Sequence, residues 1–146
     1  MEKVKKADKV QNSMENSIET KYQIKRIEVI NFTLIPPLEI THEFHFDVQI
    51  QQQVQQKENL VMTTIILGIK DSKNISLGSL TILCVFEVEE LNKLIKNKEL
   101  MSDFSLKLNT ITISTARGVM FGLFRGTFLH PAILPIVDVK VLQNQQ

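Results

Sequence analysis

From Tyr22 the chain runs through a series of β-patterned segments, and near Val88 the pattern turns helical. The plainest signal is Phe44, Phe46, Val48 and Ile50, which alternate with His45, Asp47 and Gln49 and so share one face of an extended strand. Upstream, Tyr22, Ile24, Ile27, Val29, Ile30, Phe32 and Leu34 form a longer run. Its apolar face changes near Arg26 to Glu28, which predicts a bulge, and Pro36-Pro37 ends it. Leu60 to Lys70 is rich in Val, Ile and Thr, and Asp71-Ser72-Lys73-Asn74 supplies a turn into a fourth run, Ile75 to Val88. There Leu80, Ile82, Cys84, Phe86 and Val88 share a face, while Leu83 and Val85 make the opposite face apolar too, so a covering layer is expected on that side. The glutamines of Gln51 to Gln56 read as a solvated strand end or hairpin. Short connections predict antiparallel pairing of consecutive strands, because parallel neighbours need crossovers of about a dozen residues.

Beyond Val88, the sequence Glu89-Glu90-Leu91 with Leu94 and Ile95 suits a short amphipathic helix that ends in Lys96 to Lys98, with Asn97 as its cap. Thr110 to Phe124 reads as the main helix, followed by a loop marked by Gly126, Pro131 and Pro135 and a last short segment, Ile136 to Leu142. Residues 1–20 have few large apolar side chains and no clear period, which predicts a flexible N-terminal tail ahead of a single domain over residues 21–146. Strands followed by helices give an α+β fold: a four-stranded antiparallel sheet with helices packed on one face.

Composition narrows the function classes. With 146 residues, 43% of them apolar, the chain is long enough to bury a core without staples. Its 17 Lys plus Arg against 16 Asp plus Glu give a net charge of +1, which argues against an electrostatic nucleic-acid binder and leaves little repulsion to oppose self-association. Cys84 is the single cysteine and sits in an apolar run, so no disulfide is possible and the thiol is expected to pack as a small hydrophobe. No apolar stretch approaches the length of a signal-peptide core or a membrane span, so a cytoplasmic protein without membrane insertion is expected. His42 and His45 fall on opposite faces of a strand, which predicts no metal site. His130 stands before Pro131 with no Ser or Cys in a nucleophile's context, and no Gly-rich phosphate loop is present. The expectation is a protein without catalysis or cofactor.

The main helix carries a stripe of nearly bare backbone: Ser114, Gly118, Gly122 and Gly126 recur every four residues. Each internal Gly costs roughly 1 kcal/mol of helix stability relative to Ala, so the repetition points to close approach by another backbone. Either the helix lies close on its own sheet or it packs on a second subunit. The second reading is favoured, because Ile113, Met120, Phe121, Leu123 and Phe124 make the helix apolar nearly all round. The segment after it is unusually apolar for a loop, with Phe128, Leu129, Ala132, Ile133, Leu134, Ile136 and Val137. Such a surface is either covered or binds apolar polypeptide segments.

These features resemble the SecB chaperone family. Tyr22-Gln23-Ile24-Lys25-Arg26-Ile27 is similar to the family's opening strand motif, and Leu83-Cys84 matches in the fourth strand. The most specific part is Ala116-Arg117, then Arg125-Gly126-Thr127-Phe128, then Leu134-Pro135-Ile136, in that order. Over residues 20–142 the resemblance implies an oligomer, a dimer or dimer of dimers, whose apolar grooves hold unfolded chains without ATP. It places Phe44, Phe104, Phe128, Leu129, Ile133, Leu134 and Leu142 at the client-binding groove. Ser114, Gly118, Phe121, Gly122 and Arg125 fall at the oligomer interface.

Family members dedicated to export carry acidic residues on the outer sheet face that dock the ATPase SecA. The matching positions here are the uncharged Asn31, Ile35 and Val85, so that the face they form with Leu83 suits a different partner and any SecA docking is weakened. Against the family's pattern the helix is one residue shorter between Arg117 and Arg125, and a truncated final helix is expected from Asp138 to Gln146. Three readings follow. The first is a general holdase for non-native chains, with preprotein export as one service. The second is a dedicated chaperone of one partner, such as a toxin–antitoxin antitoxin, and the third is a self-assembling interaction module.

Overall fold

A computed structural model describes residues 19–143, so the tail expected over residues 1–20 lies almost wholly outside the described residues. Strands β1 (Tyr22–Leu34), β2 (His45–Gln55), β3 (Leu60–Lys70) and β4 (Ser76–Val88) precede helices α1 (Leu91–Ile95), α2 (Lys98–Phe124) and α3 (Val139–Gln143). The strands form one antiparallel sheet in the order β1-β4-β3-β2. Antiparallel pairing is as expected, but β1 pairs with β4 and not with its successor β2. Pro36-Pro37 explains the difference: two residues without N–H groups prevent a tight hairpin. Residues 35–44 instead carry the chain past the β3–β4 turn to the opposite edge of the sheet.

Strand β1 contains two register shifts against β4, at Ile24/Arg26 and at Val29/Asn31, where one bulge was expected. Each shift restores the alternation that the extra residue would otherwise invert. Tyr22, Ile24, Ile27, Val29 and Phe32 therefore all lie opposite Val88, Phe86, Cys84, Ile82 and Leu80, on the inner face of the sheet. Strand β2 stays in register with β3 through Gln55↔Leu60, so the glutamine run is strand almost to its end. A single 3-10 turn, Gln56–Glu58, and Asn59 in the left-handed region (φ 54°) then reverse the chain.

The core lies between the inner face and α2. Ile65, Leu67, Ile69, Leu80, Ile82 and Phe86 are fully buried there, facing a helical stripe of Phe104, Leu108, Thr112, Ala116, Met120 and Phe124. The helix begins at Lys98, well before the expected start at Thr110. Asn97 caps its N-terminus by accepting from the Glu99 and Leu100 amides, so this residue starts α2 where the sequence suggested it ended α1. Register between helix and sheet is set by one polar contact at the end of β2. Gln52 Nε2 donates to Asn109 Oδ1 at 3.1 Å and to Thr63 Oγ1 at 3.2 Å, and Ser105 Oγ donates to Gln52 Oε1 at 2.6 Å. Asn109 and Thr63 are buried, so these bonds satisfy groups that cannot reach water.

Gly78 is the tightest backbone approach. A Cβ there would stand 2.6 Å from the Thr33 carbonyl oxygen and 2.9 Å from Leu129 Cδ1. Gly78→Ala is expected to lower stability by about 1–3 kcal/mol, read as a lower midpoint in urea denaturation, and an unchanged midpoint would contradict this packing.

Candidate functional surfaces

Helix α2 does not cover the whole inner face. Ile24, Ile27, Val29 and Phe32 of β1 remain 38–46% exposed although they share a face with the fully buried Ile82 and Phe86. Only the ends of this row are packed: Tyr22 lies edge-on to Phe104 at 5.4 Å, and Phe32 meets Phe124 at 5.6 Å. Between them runs an apolar shelf.

The outward side of α2 carries Ser114, Gly118, Phe121, Gly122 and Arg125, all exposed and opposite the buried stripe. A Cβ added at Gly118 or Gly122 would meet nothing within 4 Å. The glycines therefore do not serve close packing of the helix on its own sheet, which removes that alternative. Gly126 plays a different part, since at φ 78° it takes the left-handed conformation that turns the chain away after the helix.

After Gly126, residues 127–138 form a strap across one end of the sheet. Thr127 Oγ1 donates to the Phe124 carbonyl at 2.7 Å and accepts from the Leu129 amide at 3.2 Å, and a chain of turns continues to Ala132. Leu129, Ala132 and Leu134 are buried, whereas Pro131, Ile133, Pro135 and Ile136 face solvent. Arg117, on α2, reaches this strap: its Nε donates to the Leu134 carbonyl at 2.8 Å and its Nη2 to the Pro135 carbonyl at 2.9 Å.

All seven residues assigned from sequence to a groove belong to this region or pack on the core beneath it, but they do not form one surface. Phe104, Leu129 and Leu134 are core residues, at most 7% exposed. Phe104 falls in the buried stripe of α2, Leu129 fills the space above Gly78, and Leu134 is drawn in beside Arg117. Phe44, Phe128 and Leu142 are partly buried, and Ile133 is exposed. The sequence reading missed the crossover between β1 and β2. There Ile35, Leu38 and Ile40 are exposed, Leu38 completely, and residues 35–41 share with residues 71–77 a concavity of about 360 Å³. Three large apolar residues around Pro36-Pro37 were the available signal. The contact of Arg117 with the strap was not foreseen, because nothing local shows that a guanidinium on a helix will meet carbonyls 17 and 18 residues later.

Asn31, Ile35, Leu83 and Val85 follow the outer face of the sheet. Asn31 and Ile35 are exposed, Leu83 is half-buried, and Val85 is only 3% exposed between its cross-strand neighbours Arg26 and Met62. No element covers this face among the described residues, contrary to the expected covering layer; neighbouring side chains shield Val85 instead. The carboxylates nearby are paired: Glu28 with Arg26 at 2.9 Å, and Glu87 with Lys25 at 3.9 Å and the Gln23 amide at 2.7 Å. Cys84 is buried, which pushes its thiol pKa up, an effect partly offset by a hydrogen bond with Thr112. Among the described residues, no group of three or more His, Cys, Asp or Glu is placed to hold a metal ion. No helix among them is long and apolar enough to cross a membrane.

No protein-family model and no curated protein matches the sequence. The structure is similar to that of the SecB-like chaperone Rv1957 of Mycobacterium tuberculosis, solved in complex with a ChAD peptide from the Rv1956 HigA1 antitoxin. The two superpose with a TM-score of 0.54 at 13% identity, covering 80% of this chain and 91% of that one. The chain thus has the SecB-like fold.

Proposed function

We propose that the protein is an ATP-independent chaperone of the cytoplasm that holds non-native polypeptide on apolar surface, and that copies of it assemble into a dimer or dimer of dimers. The observation that carries the reading is the exposure of Leu38 and Ile40 on the crossover and of Ile133 and Ile136 on the strap. A lone protein leaves so many large apolar side chains in water only where a partner takes them up. Prolines at 36, 37, 131 and 135 keep both segments out of regular pairing, and among the described residues no N–H from Ile133 to Val139 donates to another main-chain group. Such a surface takes extended chains by side-chain burial and backbone hydrogen bonds and rejects folded proteins, which offer neither.

A second copy is the natural cover for the β1 shelf and the glycine stripe of α2, where nothing hinders backbone approach. Service to one partner, such as an antitoxin, is favoured over preprotein export on two grounds. The similar Rv1957 structure holds an antitoxin peptide, and the outer face here offers paired carboxylates in place of the free ones that SecA docking would use.

Two measurements test this. The purified protein is expected to suppress aggregation of a chemically unfolded client without ATP, and Leu38→Ser with Ile40→Ser is expected to weaken client binding about tenfold or more, since burying each such side chain contributes roughly 1.5–3 kcal/mol. Unchanged binding would remove the crossover from the site, and no suppression by the parent protein would leave only the self-assembling module. Gly118→Ala with Gly122→Ala is expected to add about 1 kcal/mol of helix stability per site while lowering the solution mass, because each new methyl blocks the approaching backbone. A mass equal to that of the parent would contradict the interface.

A further inference from the structure

We infer that Arg117 is a positioning residue for client binding: its guanidinium grips two consecutive carbonyls of the strap and thereby sets the presentation of Ile133 and Ile136. The inference rests on the chaperone reading above and adds to it the device that makes the strap a surface of defined shape.

The strap needs such a device. Residues 132–138 belong to no helix or strand, and among the described residues no backbone N–H from Ile133 to Val139 donates to another main-chain group. Pro135 has no N–H at all. Leu134 is 1% exposed, so its carbonyl is enclosed with its side chain and requires a donor from the protein. Arg117 Nε supplies that donor at 2.8 Å, and Nη2 takes the next carbonyl, that of Pro135, at 2.9 Å. Two donors of one planar, permanently charged fork fix both the position of the strap and its rotation about its own axis. No carboxylate pairs with Arg117 among the described residues, so its ionic donors are directed to the strap.

Leu134 precedes a proline, which keeps it extended, and holding its side chain inward turns those on either side, Ile133 and Pro135, outward. Ile133 is 60% exposed, and Ile136, which strict alternation would bring back to the inner side, is 94% exposed because two consecutive carbonyls turned toward one guanidinium break the alternation there. Without the grip, the buried Leu134 side chain still anchors one point, but the segment can roll about that point and lose the paired presentation. Pre-ordering the strap also removes part of the entropy cost of closing on a client.

The test uses the full chain and, as probe, a fluorescently labelled, reduced and carboxymethylated α-lactalbumin, which stays unfolded. Arg117→Ala is expected to weaken probe binding about tenfold, and Arg117→Lys, a single point donor, by an intermediate factor. Solution mass should stay at the parent value. A spin label at Ile136→Cys in a Cys84→Ala background should become more mobile when Arg117→Ala is added, a local readout that general destabilisation would not single out. The double variant Ile133→Ser/Ile136→Ser separates the two claims. If it loses probe binding while Arg117→Ala and Arg117→Lys both bind like the parent, the positioning role is overturned and the chaperone surface stands. If the double variant binds like the parent, the strap is not a client surface and the inference falls with it. Should Arg117→Ala fail to fold, Arg117→Lys carries the comparison, and parent-like affinity and label mobility in that variant overturn the inference.

Discussion

One helix is narrower than the sheet it must cover. A helix with its side chains is about 10–12 Å across, and four strands at about 4.8 Å spacing present a wider face than that. Helix α2 buries the inner faces of β3 and β4, and the polar contact of Gln52 with Asn109 and Ser105 ties it toward β2. The apolar row of β1 is left as an open shelf, while α3 packs against β2 on the far side. The β1 shelf arises from that mismatch of widths, in a chain whose buried polar side chains all have partners among the described residues.

The remaining apolar surface divides by backbone character. The shelf and the glycine stripe belong to regular elements of fixed shape, which suits a repeated, self-complementary contact between copies. The crossover and the strap are irregular, proline-bound and apolar, which fits the proposed uptake of an extended apolar chain. Arg117 joins the two regions, because the helix that carries the outward stripe also holds the strap in place.

The strands could be read from sequence almost to the residue, because period-two alternation survives in Phe44 to Ile50 and in Leu80 to Val88. Strand order could not, since nothing in β1 records that its partner is the last strand and not the next one. The start of α2 was hidden by Ser102, Ser105 and Asn109, polar residues that dilute the apolar period ahead of Thr110. One of them, Asn109, is buried with a partner that only the folded chain reveals, Gln52. The groove assignment erred in the same way. Phe104, Leu129 and Leu134 are as apolar as a client site requires, and only packing shows that they face inward.

If the protein works as proposed, the crossover and the strap, not the β1 shelf, receive a client. Hydrogen–deuterium exchange with and without an unfolded client measures this most directly. Client-dependent protection is expected at residues 35–41 and 132–138, with the stripe from Ser114 to Arg125 already slow to exchange and unchanged by the client. Protection confined to β1 and α2, with crossover and strap unaffected, would contradict it.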